Sequence, residues 1–339
     1  MSIPMSPPGV WRNGSSPAGR RPIASDLTAE DAIARFGSGL ERAAGAPVPR
    51  LGLAVSGGPD SLALLLLAQQ AMPGRIAAAT VDHRLRPEAA AEATFVAGIC
   101  ASRSIPHRIL TPDQLLTGNV QSAAREMRYR LLKDWADAQG LPFIATAHHA
   151  DDQLETLLMR LARGSGLSGL AGIRRRNGPV LRPLLAFEKM ELVAICRAAG
   201  LTPVNDPSNS DHAFDRVRMR HLLADHAAAF APRAAQRTAD AMQQAEAALQ
   251  WVMHREAALA IAPDDAGGLL LHAAPYPREI QRRLLAEAMA RLGDPPRGDR
   301  LNSALDRLRG GQRCSLGDHL GVPTDGAWHI KPAPPRAQR

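Results

Sequence analysis

Aromatic side chains are scarce: six Phe, four Trp and two Tyr make up 4% of a 339-residue chain. A core must therefore be built mainly from Leu, Ala, Val and Ile, and the wealth of Ala and Leu favours helices. Cysteine is scarcer still. Cys100, Cys196 and Cys314 form no C-x-x-C pair. That argues against a zinc ribbon, an iron–sulfur site or a disulfide framework, and suits a reducing compartment. No apolar run approaches the ~18 residues needed to span a bilayer, and the N-terminus lacks the charged-then-apolar layout of a secretory signal. The expectation is a cytoplasmic protein with no membrane partner. Acidic residues are outnumbered, giving a formal charge of +8. Such a balance is compatible with a polyanionic partner, nucleic acid being the commonest, although arginine-rich coding leaves the same charge on any surface.

What is present is ordinary globular composition, 45% hydrophobic and 22% charged, and length for about two domains. Residues 1–24 mix Pro, Gly, Ser and Arg and read as a disordered tail. Apolar spacing predicts helices over 29–44, 61–71, 88–102, 120–139, 153–162 and 187–199. Strands are expected at 51–55, 75–81, 107–110 and 143–147, with a short extended piece at 178–183. Strands alternating with helices indicate βαβ units, an α/β fold with a Rossmann-like parallel sheet over 25–228. Beyond that, 233–261 and 277–292 are Ala-rich and helical, and 314–330 holds short turn-separated apolar pieces. A smaller, mostly helical C-terminal domain over 229–333 is expected.

The chain is organised around Ser56-Gly57-Gly58-Pro59-Asp60-Ser61, which lies between the first strand and the following helix. A helix start leaves unpaired N–H groups, and its dipole favours negative charge. Glycines allow close approach of an anion, proline suits a first turn, and serine hydroxyls add donors. This reads as a phosphate site, against the plainer alternative of an ordinary strand-to-helix turn. The loop has no lysine, so it is not the G-x-x-x-x-G-K-S/T loop of γ-phosphate-transferring enzymes. Gly164 to Gly169 fits G-x-G-x-x-G but follows a helix, so the dinucleotide fingerprint fails on context; a mobile loop near the site is expected there.

Polar clusters also end the second and fourth strands, at Asp82-His83-Arg84 and at His148-His149-Ala150-Asp151-Asp152. Parallel sheets bind ligands beyond the carboxyl ends of their strands, so all three clusters should share one edge. Asp152 and Glu155 are three apart, on one helix face. Paired carboxylates can bind Mg²⁺, hold an ammonium group or accept a proton, whereas acidic residues in a first turn can also simply complement the dipole. Arg125 and Arg128 could face a phosphate together. Arg216, Arg218 and Arg220 would point one way in a strand or loop and splay apart in a helix.

SGGPDS resembles the pyrophosphate loop, SGGxDS, of the N-type ATP pyrophosphatases. Within that superfamily VDHRLRPEA, SAAREMRYRLL, TAHHADDQLET, RGSGLSGLAG, RPLL and DPSNSDHAFDRVRMRHLL resemble the tRNA(Ile)-lysidine synthases, in the family's order from Leu51 to Leu223. Arg84 stands where glycine is usual and Val217 where Asn is usual. The resemblance implies a PP-loop domain of the adenine nucleotide alpha hydrolase type. Its implied substrates are ATP, free L-lysine and a tRNA(Ile) with a CAU anticodon. ATP adenylates the wobble cytidine and releases pyrophosphate; the lysine amine then displaces AMP.

It also implies roles. Ser56, Gly57, Gly58, Pro59, Asp60 and Ser61 would cradle the phosphates, with Asp60 holding Mg²⁺. Asp82, Arg125 and His148 would contact the nucleotide, His149 being the alternative to His148. Asp152 and Glu155 would bind the lysine ammonium and ease its deprotonation, and Arg128 and Arg216 would meet phosphate or the lysine carboxylate. Arg233, Arg237, Arg282, Arg283, Arg307 and Arg309 are available to grip the tRNA body. The nearest rivals are a thiolating PP-loop enzyme, disfavoured by the scattered cysteines, and a non-enzymatic nucleic-acid-binding protein.

Overall fold

The computed structural model describes residues 28–84, 88–112, 120–202, 215–226, 229–264, 267–294 and 299–333. Its contacts divide the chain into two compact units, Met1–Gln153 with Arg175–Leu222, and Leu154–Arg174 with Leu223–Arg339.

The first unit starts with α1 (Ala29–Ala44), capped by Thr28, whose hydroxyl accepts the Asp31 N–H. Next come β1 (Leu51–Ala54), α2 (Pro59–Ala71), β2 (Ile76–Val81), α3 (Glu88–Ser102), β3 (His107–Leu110), α4 (Val120–Ala138), β4 (Ile144–Ala145) and α5 (Ala150–Ala162). After the short α6 (Leu167–Leu170), which belongs to the second unit, follow β5 (Arg176–Asn177), β6 (Val180–Leu181), a 3-10 turn (Pro183–Ala186), α7 (Lys189–Ala198) and α8 (Asp215–Asp225).

The sheet order is β3-β2-β1-β4-β6-β5. Pairing is parallel from β3 to β6, and β5 returns antiparallel to β6. β1 pairs with β2 on one side and β4 on the other, Leu53 opposite both Ala78 and Ala145. Succession runs outward from β1 to β3 and then jumps back across β1 to β4. This reversal of direction is a topological switch point, where the loops after β1 and β4 part and leave a crevice.

Small residues make the layers fit. A Cβ on Gly52 would lie 2.8 Å from the Trp135 ring of α4, so packing that ring on the sheet needs a glycine in β1. A Cβ on Gly39 would lie 2.5 Å from the Pro183 carbonyl, which lets α1 sit directly on the 3-10 turn. α2 is buried continuously from Ser61 to Ala68, as a helix apolar on all sides must be. It packs against α1 and α7, around Phe36, Leu62, Leu65 and Phe187.

The second unit holds α9 (Pro232–Ala260), β7 (Ile261–Pro263), β8 (Leu269–Leu271), α10 (Arg278–Arg291), α11 (Asp299–Arg309), β9 (Cys314–Leu316), β10 (His319–Thr324) and β11 (Ala327–Pro332). Helical residues predominate, but the turn-separated apolar pieces at its end join β7 and β8 in an antiparallel sheet, β7-β8-β11-β10-β9. Leu271, Leu284, Leu285, Met289, Leu305 and Ile330 fill its core.

Two expectations change here. The glycine-rich 164–172 segment is tied down rather than open: the Arg160 guanidinium donates to the Gly169 carbonyl, and Gln243 Nε2 donates to the Ala171 and Ile173 carbonyls at 2.7 and 3.2 Å. Arg282 and Arg283 are engaged inside the unit. Arg283, 6% exposed, donates to Glu246 at 2.7 and 3.0 Å and to Glu279 at 2.8 Å, and Arg282 takes both oxygens of Glu279 at 2.8 Å.

Candidate active site

The loop between β1 and α2 closes on itself through Ser61. Its Oγ accepts the Ser56 N–H at 3.1 Å and donates to the Gly58 carbonyl at 3.0 Å, and the Ser56 hydroxyl reaches it at 3.2 Å. Ser61 is 5% exposed. Its hydroxyl thus shapes the loop, which leaves its backbone N–H rather than its side chain for an anion. Gly57 has φ +89°, which a side chain would strain. Gly58 caps α2 without a side-chain hydrogen bond, and Pro59 opens the helix. The first turn therefore presents backbone N–H groups with no side-chain cap bonded at Gly58.

Across the switch point, α5 begins at Ala150, three residues earlier than its apolar spacing indicates. Asp151 and Asp152 consequently lie in its first turn. Asp152 Oδ2 accepts the His149 N–H at 3.0 Å. The His149 side chain, 4% exposed, lies among three carboxylates. Nδ1 is 3.3 Å from Asp151 Oδ2, and Nε2 is 3.5 Å from Asp60 Oδ2 and 3.6 Å from Asp152 Oδ2. Burial alone would lower its pKa, but the bonds to Asp151 and Asp60 and the surrounding negative charge push it up to about 10. Burial likewise tends to raise Asp60 and Asp151, yet His149 holds both carboxyls below their ordinary value. The three carboxylates around the ring favour its protonated form, while the Asp151 N–H also approaches Nδ1 at 3.3 Å.

A third helix start completes the cluster. Lys189, the first residue of α7, donates its N–H to Asp151 Oδ2 at 2.8 Å, and its Nζ lies 3.9 Å from Asp60 Oδ2. The Ala150 N–H reaches the Phe187 carbonyl at 2.8 Å, which locks the α5 start to the segment leading into α7. Glu191 in turn receives the Glu188 N–H at 2.8 Å and the Arg35 guanidinium of α1 at 2.9 Å. The N-terminal turns of α2, α5 and α7 meet, with alternating charge between them.

The structure brings the loop residues and Asp152 together through His149; Glu155 shares the helix of Asp152, and the remaining expected residues make the following contacts. His149 takes the central position; His148 instead pairs its Nδ1 with the Thr146 hydroxyl at 3.0 Å. Asp82 ends β2, 8% exposed, and its Oδ1 accepts the Arg84 N–H. Arg128 contacts His83 Nε2 at 3.0 and 3.1 Å, beside that strand end, and Arg125 lies over the Tyr129 ring. Glu155 follows Asp152 by three residues on α5 and is 5% exposed. The segment bearing Arg216, Arg218 and Arg220 is the helix α8, where alternate positions splay apart; the Arg216 side chain and residues 203–214 lie outside the described residues. Asp151, expected only as part of the polar run after β4, and Lys189 join the cluster through tertiary packing.

Asp60 is the residue here that would hold a divalent cation. Asp60 Oδ1 is buried with no hydrogen-bond partner among the described residues. No group of three or more ready ligands occurs among them; Mg²⁺ is commonly held by one or two carboxylates and completed by phosphate and water. Sulfur chemistry fits poorly. Cys196 is fully buried below the loop, its Sγ donates to the Pro59 carbonyl at 3.2 Å, and burial pushes its thiol up to about 11.

Comparison with known proteins agrees with this geometry. Residues 31–227 match the PP-loop domain family. A tRNA(Ile)-lysidine synthase of Novosphingobium aromaticivorans is 44% identical over 85% of this chain and 90% of its own length. One from Zymomonas mobilis is 43% identical over 85% and 89%, and one from a Methylobacterium species 41% identical over 92% and 97%. Among solved structures, the U34-tRNA thiolase of Methanococcus maripaludis superposes with a TM-score of 0.50 at 17% identity, over 63% of this chain and 78% of that one, which shows a shared fold. With a glycine loop at the switch point, three helix starts around a buried histidine and relatives matched over most of their length, the chain belongs to the tRNA(Ile)-lysidine synthase family of ATP-using PP-loop enzymes.

Proposed function

We propose that this chain ligates free lysine to C2 of the wobble cytidine in a tRNA(Ile) with a CAU anticodon, using Asp60, Lys189, Asp152 and Glu155. The reading follows from the family and from one observation: the carboxylate of Asp60 faces a lysine from another helix start, beside a loop with no lysine of its own. In the first step the cytidine 2-carbonyl oxygen attacks the α-phosphorus of ATP, forming an O–P bond while the bond to pyrophosphate breaks. The N–H groups at the start of α2 face the charge that builds on the departing phosphates. Lys189 provides the cation that a γ-phosphate-transferring loop would carry itself. Mg²⁺ bound at Asp60 would neutralise further phosphate charge.

In the second step the lysine Nζ attacks C2 and AMP leaves. An ammonium with an ordinary pKa of ~10.4 must shed a proton first. Asp152 and Glu155, on one face of α5, hold that ammonium and receive the proton. His149, tied to Asp60, Asp151 and Asp152, keeps the carboxylates in place between steps. Ser61 and Gly57 act by shaping the loop.

Incubation with labelled lysine, ATP and transcripts of the CAU-bearing tRNA(Ile) and tRNA(Met) tests this. Label is expected in the first only, with one pyrophosphate and one AMP per lysidine. Binding of tRNA(Ile) without tRNA-dependent pyrophosphate release would leave only the nucleic-acid-binding alternative.

A further inference from the structure

α9 carries an exposed stripe that the chemistry of the first unit does not use. Arg237, Gln244, Ala248, Trp251 and Arg255 are all exposed, and their spacing of seven, four, three and four residues keeps them on one side of the helix. The stripe runs about 27 Å. Trp251 is 60% exposed, in a chain with four tryptophans, and the Arg255 guanidinium lies 5.0 Å from its ring centre. His254 is exposed next to it.

The charge of this face has one sign. The three acidic residues of α9 are all at least half-buried and turned to internal partners: Asp240 accepts from Gln236 at 2.9 Å, Glu246 binds Arg283, and Glu256 accepts the Tyr276 hydroxyl at 2.9 Å. From Arg237 to Leu259 the helix thus exposes cations, one amide, one hydroxyl, alanines, Leu259 and one large ring, and no carboxylate. An indole with a guanidinium beside it, flanked by low alanines and spaced arginines, matches a strand of RNA: a base stacks on the ring while the arginines meet phosphates. A two-fold dimer that buried this face against itself would bring like charges together.

We infer that the Arg237–Arg255 face of α9 docks tRNA, with Trp251 stacking against an unpaired base. This deepens the reading of the chain as a tRNA-modifying ligase and rests on it. The test uses the full-length chain and the CAU-bearing tRNA(Ile) transcript, with Trp251→Ala, Trp251→Phe, Arg255→Ala and Arg237→Ala. Trp251→Ala is expected to raise the KM for tRNA by about 5- to 100-fold, the range of one lost base stack, while kcat at saturating tRNA and the KM for lysine stay at wild-type values. Trp251→Phe should recover most of the loss. Each arginine variant should reduce the slope of log affinity against log salt by about 1.

Variants that bind tRNA within twofold of wild type, at unchanged salt slope, overturn the inference. So does a change from dimer to monomer in sedimentation with tRNA affinity intact, which would make the face an interface between copies. A wild-type chain that makes no lysidine defeats the ligase reading instead, and direct tRNA binding by the same variants still decides the role of the face.

Discussion

Glu191 links the core to the site, and its removal should be felt in both. The residue is 6% exposed and accepts hydrogen bonds from the Arg35 guanidinium at 2.9 Å and from the Glu188 N–H at 2.8 Å at the start of α7. Glu191→Ala loses a helix-capping bond worth about 1 kcal/mol and a charge-assisted bond worth about 1.5–3 kcal/mol. Arg35 keeps some water and its place over the Phe187 ring, 3.9 Å from the centre, so the total should fall near the lower end, about 2–3 kcal/mol. The same change loosens the turn that holds Lys189 against Asp151 and Asp60, so the KM for ATP should rise about fivefold or more. Glu191→Gln can keep the backbone cap and should recover roughly half of each effect. Denaturant unfolding and ATP-dependent pyrophosphate release read the two consequences. Stability within about 0.5 kcal/mol of wild type, or a loss of stability with an unchanged KM for ATP, would refute the linkage.

Three other outcomes follow from single residues. Lys189→Ala should slow pyrophosphate release about 100-fold, as loss of a donor to developing phosphate charge does, and Lys189→Arg should restore much of it; equal rates for both variants would remove Lys189 from the first step. Gly57→Ala places a Cβ at φ +89° and should cost about 1 kcal/mol of stability with a larger loss of ATP binding, measured by calorimetry. Glu246 is held below its ordinary carboxylate pKa by its hydrogen bond to Arg283. A lowered folded pKa gives stability that is complete above the unfolded value and lost as pH falls through the folded one. Glu246→Gln should therefore destabilise by about 1–2 kcal/mol at pH 7, and the gap to wild type should close below the ordinary glutamate range in pH-dependent unfolding.

Much of the first unit was legible because strong local patterns and the fold agree there. The helix expected at 88–102 and the strand at 107–110 occur with those bounds, since both are set by apolar spacing and by turns. The strand expected at 143–147 shortens to Ile144–Ala145, and α5 starts three residues early, because the polar His148–Asp152 run reads as a loop but has helical backbone from Ala150 onward. The loop, Asp60 and Asp152 were legible as neighbours at one sheet edge. Choosing between His148 and His149 was not, because the two differ only in which way the chain turns after β4. Lys189 carries no local signal at all; it reaches Asp60 because α7 starts beside α5, a consequence of tertiary packing. The C-terminal sheet was missed for another reason. β7, β8 and β9 are three residues each, and β10 contains both glycine and proline, so no period-two run announces them.

The central claim, that Asp152 binds the attacking lysine beside an adenylating site at Asp60, is tested most directly by separating the two half-reactions. With tRNA(Ile) and ATP but no lysine, Asp152→Ala should still release pyrophosphate at a rate near wild type, while labelled lysine enters the tRNA at least 100-fold more slowly at low lysine concentration. Asp60→Ala should stop both. Unchanged lysine incorporation in Asp152→Ala, or unchanged pyrophosphate release in Asp60→Ala, would contradict the assignment.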